Sequence, residues 1–233
     1  MPSPYLEEHL RLLRKPEHQG PVGSAPATWA RRIAVDVPDF ESLPCSVLDR
    51  KEVRAICTDR SRNALFGYAC AMAWGGQGGG VTQRYAKAAW RERVRLEQHL
   101  LRLRNGGLNR KAAYDLFCDD GEIWGLGPSF FTKLLYFFSP EPSFYIMDQW
   151  TAKSINLLTG RQIVKLSNTS PTRENTGSEY NTFCDEVDAI AARIGCTGHE
   201  AEERMFSRGG QKQGDWRKHV REGYGTFKIG TPS

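Results

Sequence analysis

The feature that most constrains the fold of this chain is a pair of glycines, separated by one residue and followed directly by a proline. Gly125-Leu126-Gly127 predicts a tight turn in which both glycines can adopt positive φ. Pro128 suits the first position of a helix, because the N–H group that proline lacks has no partner there. A short helix, Lys111 to Asp120, precedes the turn. The pattern predicts helix, hairpin and helix, which offers free backbone N–H groups to a phosphate oxygen and so implies a nucleic acid backbone as partner.

The second helix of this pattern is apolar except for one polar stripe. Its predicted span is Pro128 to Phe138, and its polar side chains recur at i, i+3, i+4 and i+7. They are Ser129, Thr132, Lys133 and Tyr136. Two prolines end the helix, and a short extended run, Phe144 to Met147, leads to Asp148. Asp148 is the N-cap candidate of the next helix, Gln149 to Leu158, so Lys133 and Asp148 come from successive helices.

These residues resemble the core of the helix-hairpin-helix DNA glycosylase superfamily, nearest its 8-oxoguanine glycosylase branch. The resemblance is carried by Glu122-Ile-Trp-Gly-Leu-Gly127, by the lysine-bearing helix that follows, and by Ile146-Met147-Asp148 after a proline-containing loop. It is strong over about Lys111 to Asn156 and weaker over Ala64 to Tyr85 and Tyr180 to Phe206. The fold and activity of that superfamily are therefore expected for this chain.

The resemblance also implies roles for two side chains. In the superfamily an aspartate opens the helix after the hairpin motif, and members with lyase activity carry a lysine on the hairpin's second helix. Asp148 and Lys133 are the catalytic residues that this implies. The usual spacing places the lysine at Ser129, whereas Lys133 lies four residues later, about 6 Å further along a helix. Lys133 is either a Schiff-base nucleophile or a lysine that contacts only DNA or Asp148.

A glycine-rich segment, Gly75 to Gly80, surrounds a single glutamine, Gln77. Five glycines make it too flexible for a packing element, so a solvent-exposed loop is the plain interpretation. The resemblance offers a second interpretation, in which Gln77 is a wedge that fills the gap left by an extruded base. The sequence leaves both interpretations open.

The segment from Thr82 to Arg104 is predicted as one long helix with seven basic side chains. They form either a solvated face or a set of phosphate contacts, and Arg84 and Lys87 are the first candidates for such contacts because they adjoin the glycine-rich segment. The predicted DNA-binding residues are Gly125, Gly127, Ser129, Gln77, Arg84 and Lys87.

Composition limits the partners and cofactors. The formal net charge of +5 is compatible with a polyanionic partner. Six cysteines are scattered without a C-x-x-C pair, so no metal site and no cofactor is predicted. The N-terminus carries acidic residues before any apolar run, and no apolar stretch approaches the ~20 residues of a membrane span. A cytoplasmic monomer without membrane contact is expected.

Few strand signals and no internal repeat predict an all-α fold. With the superfamily's topology, this becomes a two-lobed helix-hairpin-helix DNA glycosylase fold with the active site in the interlobe cleft. Residues 1–62 are expected to form the N-terminal part of a terminal lobe, residues 63–147 the hairpin lobe, and residues 148–233 the catalytic aspartate helix with the rest of the terminal lobe. Within the first of these, Trp29 to Val37 is expected to be extended.

The predicted function is that of a DNA glycosylase acting on double-stranded DNA that contains a modified base. The base is flipped out and then released by hydrolysis of its N-glycosidic bond. Resemblance to a bacterial group of 8-oxoguanine-glycosylase-like proteins implies a bulky phage-modified base, such as α-glucosyl-hydroxymethylcytosine, in antiphage defence. Two alternatives stay open: an 8-oxoguanine repair glycosylase with AP-lyase activity, and a non-catalytic helix-hairpin-helix DNA-binding protein.

Overall fold

The computed structural model describes residues 7–15, 20–76, 82–118, 121–206 and 214–224. These residues form an all-α fold with one very small sheet. The α-helices are, in chain order, α1 (Glu7–Leu13), α2 (Pro26–Ile33), α3 (Arg50–Thr58), α4 (Ala64–Trp74), α5 (Thr82–Arg91), α6 (Arg93–Asn105), α7 (Arg110–Asp115), α8 (Pro128–Phe138), α9 (Gln149–Thr159), α10 (Gly177–Ile194), α11 (Gly198–Phe206) and α12 (Asp215–Gly223). None of the helices in these ranges is long and apolar enough to span a membrane.

The chain divides into two compact units. Residues 20–144 form the first, here called the hairpin unit, and residues 1–19 with 145–233 form the second, here called the Asp148 unit. Residues 20–62, expected in the terminal lobe, cluster instead with the hairpin unit, because α2 and α3 pack on α4 and α3 also packs on α8. The interlobe cleft expected from the resemblance stays a prediction.

Helix α4 is the centre of the hairpin unit. All of its residues are buried, and it packs against α2, α3, α6 and α8. The side chain of Asn63 caps its N-terminus by accepting a hydrogen bond of 2.7 Å from Leu65 N. Phe131, Phe137 and Phe138 of α8 are fully buried in the same core, each worth roughly 1.5–3 kcal/mol of burial. This packing fixes the position of α8, the helix that follows the hairpin.

Three local predictions in this unit were wrong. The segment expected to be extended, Trp29 to Val37, includes the last five residues of α2, whose buried residues include Trp29 and Ile33 at helical spacing. The single helix predicted from Thr82 to Arg104 is two helices, α5 and α6, which break at Glu92. Helix α7 ends at Asp115 rather than at Asp120, since a turn follows it directly.

Helix α9 is the centre of the Asp148 unit and packs against α10, α11 and α12. Trp216 of α12 donates a hydrogen bond of 2.8 Å from its indole nitrogen to Ser154 Oγ of α9. Thr197 and Glu200 form a capping box at the start of α11, with Glu200 N donating to Thr197 Oγ1 and Thr197 N donating to the Glu200 carboxylate. A two-stranded antiparallel sheet, β1 (Leu166–Ser167) and β2 (Ser170–Pro171), follows α9.

Candidate active site and hairpin

Gly125 makes the hairpin turn possible. Its φ is +87°, in the left-handed region that favours glycine, as the sequence predicted. A Cβ atom at this position would lie 2.2 Å from the carbonyl oxygen of Tyr85, a distance that no real contact allows. Gly125 therefore satisfies two demands, a positive φ and close approach of the hairpin to the backbone of α5.

Gly127 does not form part of the turn through a positive φ, as predicted, but begins the next helix. It is the N-cap of α8 with φ −79° and ψ 174°, an ordinary extended conformation, so the prediction of a second positive φ was wrong. A Cβ atom built here would meet nothing within 4 Å. Within the described part of the chain, the N–H groups of Gly127 and Ser129 have no acceptor, and Pro128 has no N–H to offer. The N-terminus of α8 is thus open to an anion.

Side chains from the start of α6 hold the backbone of the hairpin. The hydrogen bonds join Trp124 N to Glu92 Oε1 (2.9 Å), Arg95 Nη1 to the Glu122 carbonyl (3.1 Å) and His99 Nε2 to the Gly121 carbonyl (2.9 Å). Burial, which is the largest cause, and repulsion by Arg95 and Arg102 lower the pKa of His99. A neutral ring protonated at Nε2 can donate to the Gly121 carbonyl. These three side chains, Glu92, Arg95 and His99, are called the hairpin clamp below.

The polar stripe of α8 packs inside the hairpin unit. Thr132 is fully buried, and its hydroxyl donates to the Pro128 carbonyl one turn earlier at 2.7 Å. The ring of Tyr136 lies against the guanidinium groups of Arg50 and Arg54. Ser129 Oγ is buried and has no hydrogen-bond partner in the part of the chain that the structure describes. Three of the four stripe residues are therefore buried in this unit, and Ser129 is partly exposed.

Lys133 lies at the C-terminal end of α4. Its side chain is only 6% exposed, and its Nζ donates to the carbonyl of Gly75 at 3.4 Å and sits 4.7 Å from the ring centroid of Phe130. A Cβ atom at Gly75 would lie 2.9 Å from Lys133 Cδ, so the glycine makes room for the lysine stem. A cation at this place is favoured by the C-terminal end of the helix dipole.

The basic residues predicted to contact DNA lie beside the hairpin. Arg84 and Lys87 are exposed on α5, and Tyr85 between them contacts Gly125 through its backbone. Gln77, the predicted wedge, lies outside the described residues.

Asp148 opens α9, as the sequence predicted. Its Oδ1 accepts hydrogen bonds from Trp150 N at 2.8 Å and Thr151 N at 3.1 Å, and its own N–H donates to Thr151 Oγ1 at 3.0 Å. The carboxylate is held at the positive end of a helix and is only 7% exposed. Among the described residues Oδ2 accepts no hydrogen bond, so one oxygen anchors the side chain and the other is available for chemistry.

Cationic and aromatic side chains surround the first turns of α9. Lys153 Nζ lies 5.4 Å from the ring centroid of Trp150 and 5.5 Å from that of Tyr224, and the guanidinium of Arg217 lies 4.4 Å from Trp150. Burial lowers the pKa of Lys153. None of these residues was predicted from the sequence to belong to the site, although Trp150 and Lys153 follow Asp148 closely. No group of three or more His, Cys, Asp or Glu side chains in the described ranges is placed to bind a metal ion.

One protein-family model matches most of the chain. A family model described as "Putative 8-oxoguanine DNA glycosylase OGG-like protein" matches residues 15–206. No curated protein and no solved structure gives a significant match. The matched range includes the hairpin, α8 and Asp148 at the start of α9. The chain therefore belongs to this OGG-like family, and it is a DNA glycosylase that acts on DNA.

Proposed function

We propose that this DNA glycosylase releases a modified base by hydrolysis, with Asp148 as the essential carboxylate. The observation that carries the proposal is the geometry of that side chain, with Oδ1 anchored by two backbone N–H groups and Oδ2 unengaged among the described residues. An anchored carboxylate needs no reorganisation when positive charge develops beside it, which is the condition for effective electrostatic catalysis.

The reaction replaces one bond to the sugar by another. As the bond between C1′ and the base nitrogen breaks, the sugar develops oxocarbenium character, which the negative charge of Asp148 stabilises. A water molecule then forms the new C1′–O bond and gives a proton to Asp148, acting as general base. The base leaves with the bonding electrons and takes up one proton from solvent, while Asp148 gives the proton it received back to solvent and regains its negative charge. The products are a free base and an intact strand with an abasic site.

We place Lys133 outside the covalent chemistry. A lysine nucleophile must bring Nζ to about 3 Å from C1′. The ammonium of Lys133 instead sits beside the Gly75 carbonyl, with its stem packed against that glycine. Ser129 occupies the position where the superfamily's spacing puts the lysine. Both observations support hydrolysis without strand cleavage.

We propose DNA binding through the open N-terminus of α8 and the basic side chains of α5. The free N–H groups of Gly127 and Ser129 suit one phosphate oxygen, and Arg84 and Lys87 add positive charge nearby. Gln77 is retained as the proposed wedge on the resemblance alone.

The proposed substrate is a bulky phage-modified base such as α-glucosyl-hydroxymethylcytosine, which would make the protein part of an antiphage defence. This choice is supported by the resemblance to bacterial 8-oxoguanine-glycosylase-like proteins. The second candidate is 8-oxoguanine, because the matching family's description names it.

A comparison of three duplexes tests the substrate. They carry α-glucosyl-hydroxymethylcytosine, 8-oxoguanine or only ordinary bases at the same position. Released base is measured by mass spectrometry, and abasic sites are measured as strand breaks after hot alkali. We expect release from the glucosylated duplex and strand breaks only after alkali. Release from the 8-oxoguanine duplex alone would replace the proposed substrate by the second candidate.

A further inference from the structure

Trp124, in the hairpin turn, is exposed in a way that neither the fold nor the proposed chemistry explains. Its side chain is 58% exposed, and it is the only exposed aromatic side chain in the described ranges. The nearest apolar side chains before and after it in the turn, those of Ile123 and Leu126, are buried. Leaving an indole in water forfeits its burial, which suggests a surface that binds something.

Neighbouring side chains hold Trp124 in one place. Its backbone N–H is bound by the Glu92 carboxylate at 2.9 Å. Its ring lies against Tyr85, with centroids 5.8 Å apart and the planes tilted by 48°. Arg84 continues the row, with its guanidinium 4.7 Å from the Tyr85 ring and Nη2 donating to the Tyr85 hydroxyl at 2.7 Å. A preorganised ring loses little conformational entropy when a ligand stacks on it.

The positive charge around Trp124, Tyr85 and Arg84 is suited to a polyanionic partner. Arg84, Lys87 and Arg91 recur at i, i+3 and i+7 and are all exposed on α5. None of the three forms an ion pair with a residue that the structure describes, and α5 itself contains no acidic residue. The open N–H groups at the start of α8 lie in the same hairpin. Trp124 thus shares a hairpin with these open N–H groups, and Tyr85 connects its ring to the guanidinium of Arg84.

We propose that Trp124, backed by Tyr85 and Arg84, is a stacking platform for one unpaired nucleotide of the DNA strand. Every base presents a π face that can stack on an indole, and cationic side chains beside it hold the adjacent phosphates. In an intact duplex both faces of a base are covered by its neighbours, so this platform selects DNA with an unstacked nucleotide. The inference rests on the proposed function for its DNA partner and adds a preference for locally opened DNA.

The test compares binding to three DNAs by fluorescence anisotropy. They are a single strand, a duplex with one unpaired nucleotide and a fully paired duplex of the same sequence. All proteins carry Asp148→Asn, so that no turnover occurs. Trp124→Ala should weaken binding to the first two DNAs about tenfold or more, the size expected for one stacked base, and leave the paired duplex unchanged. Trp124→Phe, which keeps an aromatic face, should recover most of the affinity.

Leu101→Ala is the matched control, because Leu101 is also exposed, at 44%, and lies on α6. It should change none of the three affinities. Equal weakening of all three DNAs by Trp124→Ala would show a contact with the duplex itself, and unchanged affinities would show a surface for some other partner; either result overturns the inference. Base release by the protein with Asp148 intact tests the proposed function separately, so the two can fail independently.

Discussion

Gly125 and Gly127 stand two residues apart in one turn but meet different physical demands. The same substitution at each position should therefore have opposite consequences. Gly125→Ser forces a side chain into a positive φ and against the Tyr85 carbonyl, and should lower the free energy of unfolding by about 2 kcal/mol or more. Gly127→Ser should leave the free energy of unfolding unchanged or slightly raised, because serine is a favoured N-cap.

Affinity for DNA, unlike the free energy of unfolding, should be reduced by the substitution at Gly127. In Gly127→Ser the new hydroxyl can accept the Ser129 N–H, one of the two N–H groups that we propose for the phosphate, so affinity for duplex DNA at low salt should fall severalfold. Urea denaturation and fluorescence anisotropy measure the two effects. A fully stable Gly125→Ser protein would contradict the close approach seen here, and unchanged affinity in Gly127→Ser would contradict the phosphate site.

Lys133 offers a second test at the scale of one residue. If its ammonium stays beside the Gly75 carbonyl, borohydride added during turnover should trap no covalent complex between protein and DNA. The abasic product strand should remain intact, and Lys133→Gln should give the same product pattern. A trapped complex that disappears in Lys133→Gln would establish a Schiff base and refute the assignment to hydrolysis alone.

At the scale of elements, the sequence predicted α8 and α9 because their start signals are local. Pro128 at the first helical position and Asp148 as an N-cap act within a few residues of the helix that they begin. The break between α5 and α6 at Glu92 could not be predicted from a local signal of this kind. Its carboxylate accepts the N–H of Trp124, thirty-two residues along the chain, so a distant contact accompanies the break between α5 and α6.

The hairpin clamp predicts a pH dependence. Burial is the main cause that holds the pKa of His99 below its usual 6.5, so the folded protein binds a proton less readily than the unfolded chain. Stability is therefore lost as the pH falls from above 6.5 through the lowered pKa, and no penalty from His99 applies above that window. Acidification below pH 6.5 should therefore lower the free energy of unfolding, because the folded protein buries a charged ring beside Arg95 and Arg102, although the bond to the Gly121 carbonyl itself favours the charged form.

His99→Gln isolates this contribution, since an amide can still donate to that carbonyl but cannot gain a charge. The melting temperature of the wild type should fall more steeply between pH 7 and pH 5 than that of His99→Gln. Carboxylates titrate similarly in both proteins, so the difference between the two curves reports on His99. Parallel curves would mean that the ring titrates alike in the folded and unfolded protein.

At the scale of the whole molecule, the starts of individual helices were easier to predict from the sequence than the grouping of helices into units. The hairpin and Asp148 follow from short motifs, whereas the membership of residues 20–62 depends on which distant helices they touch. Arg54 of α3 shows why, because it donates to the carbonyls of Tyr136 and Ser139 at the end of α8. No local pattern signals that contact. Arg217 was not predicted for the same reason, since α12 brings it to Trp150 of α9.

The proposed reaction depends on the negative charge of Asp148 more than on any other side chain. Asp148→Asn keeps an oxygen that can accept the N–H groups of Trp150 and Thr151, so α9 should stay capped while the negative charge is lost. Circular dichroism and affinity for duplex DNA are the controls, and both should match the wild type.

The decisive measurement is the single-turnover rate of base release, for wild type and Asp148→Asn, on whichever modified duplex the wild type processes. We expect the rate to fall by about 100-fold or more, the size typical when one electrostatic stabiliser of a transition state is removed, with binding unchanged. Equal rates in the two proteins would contradict the assignment of Asp148 as the catalytic carboxylate.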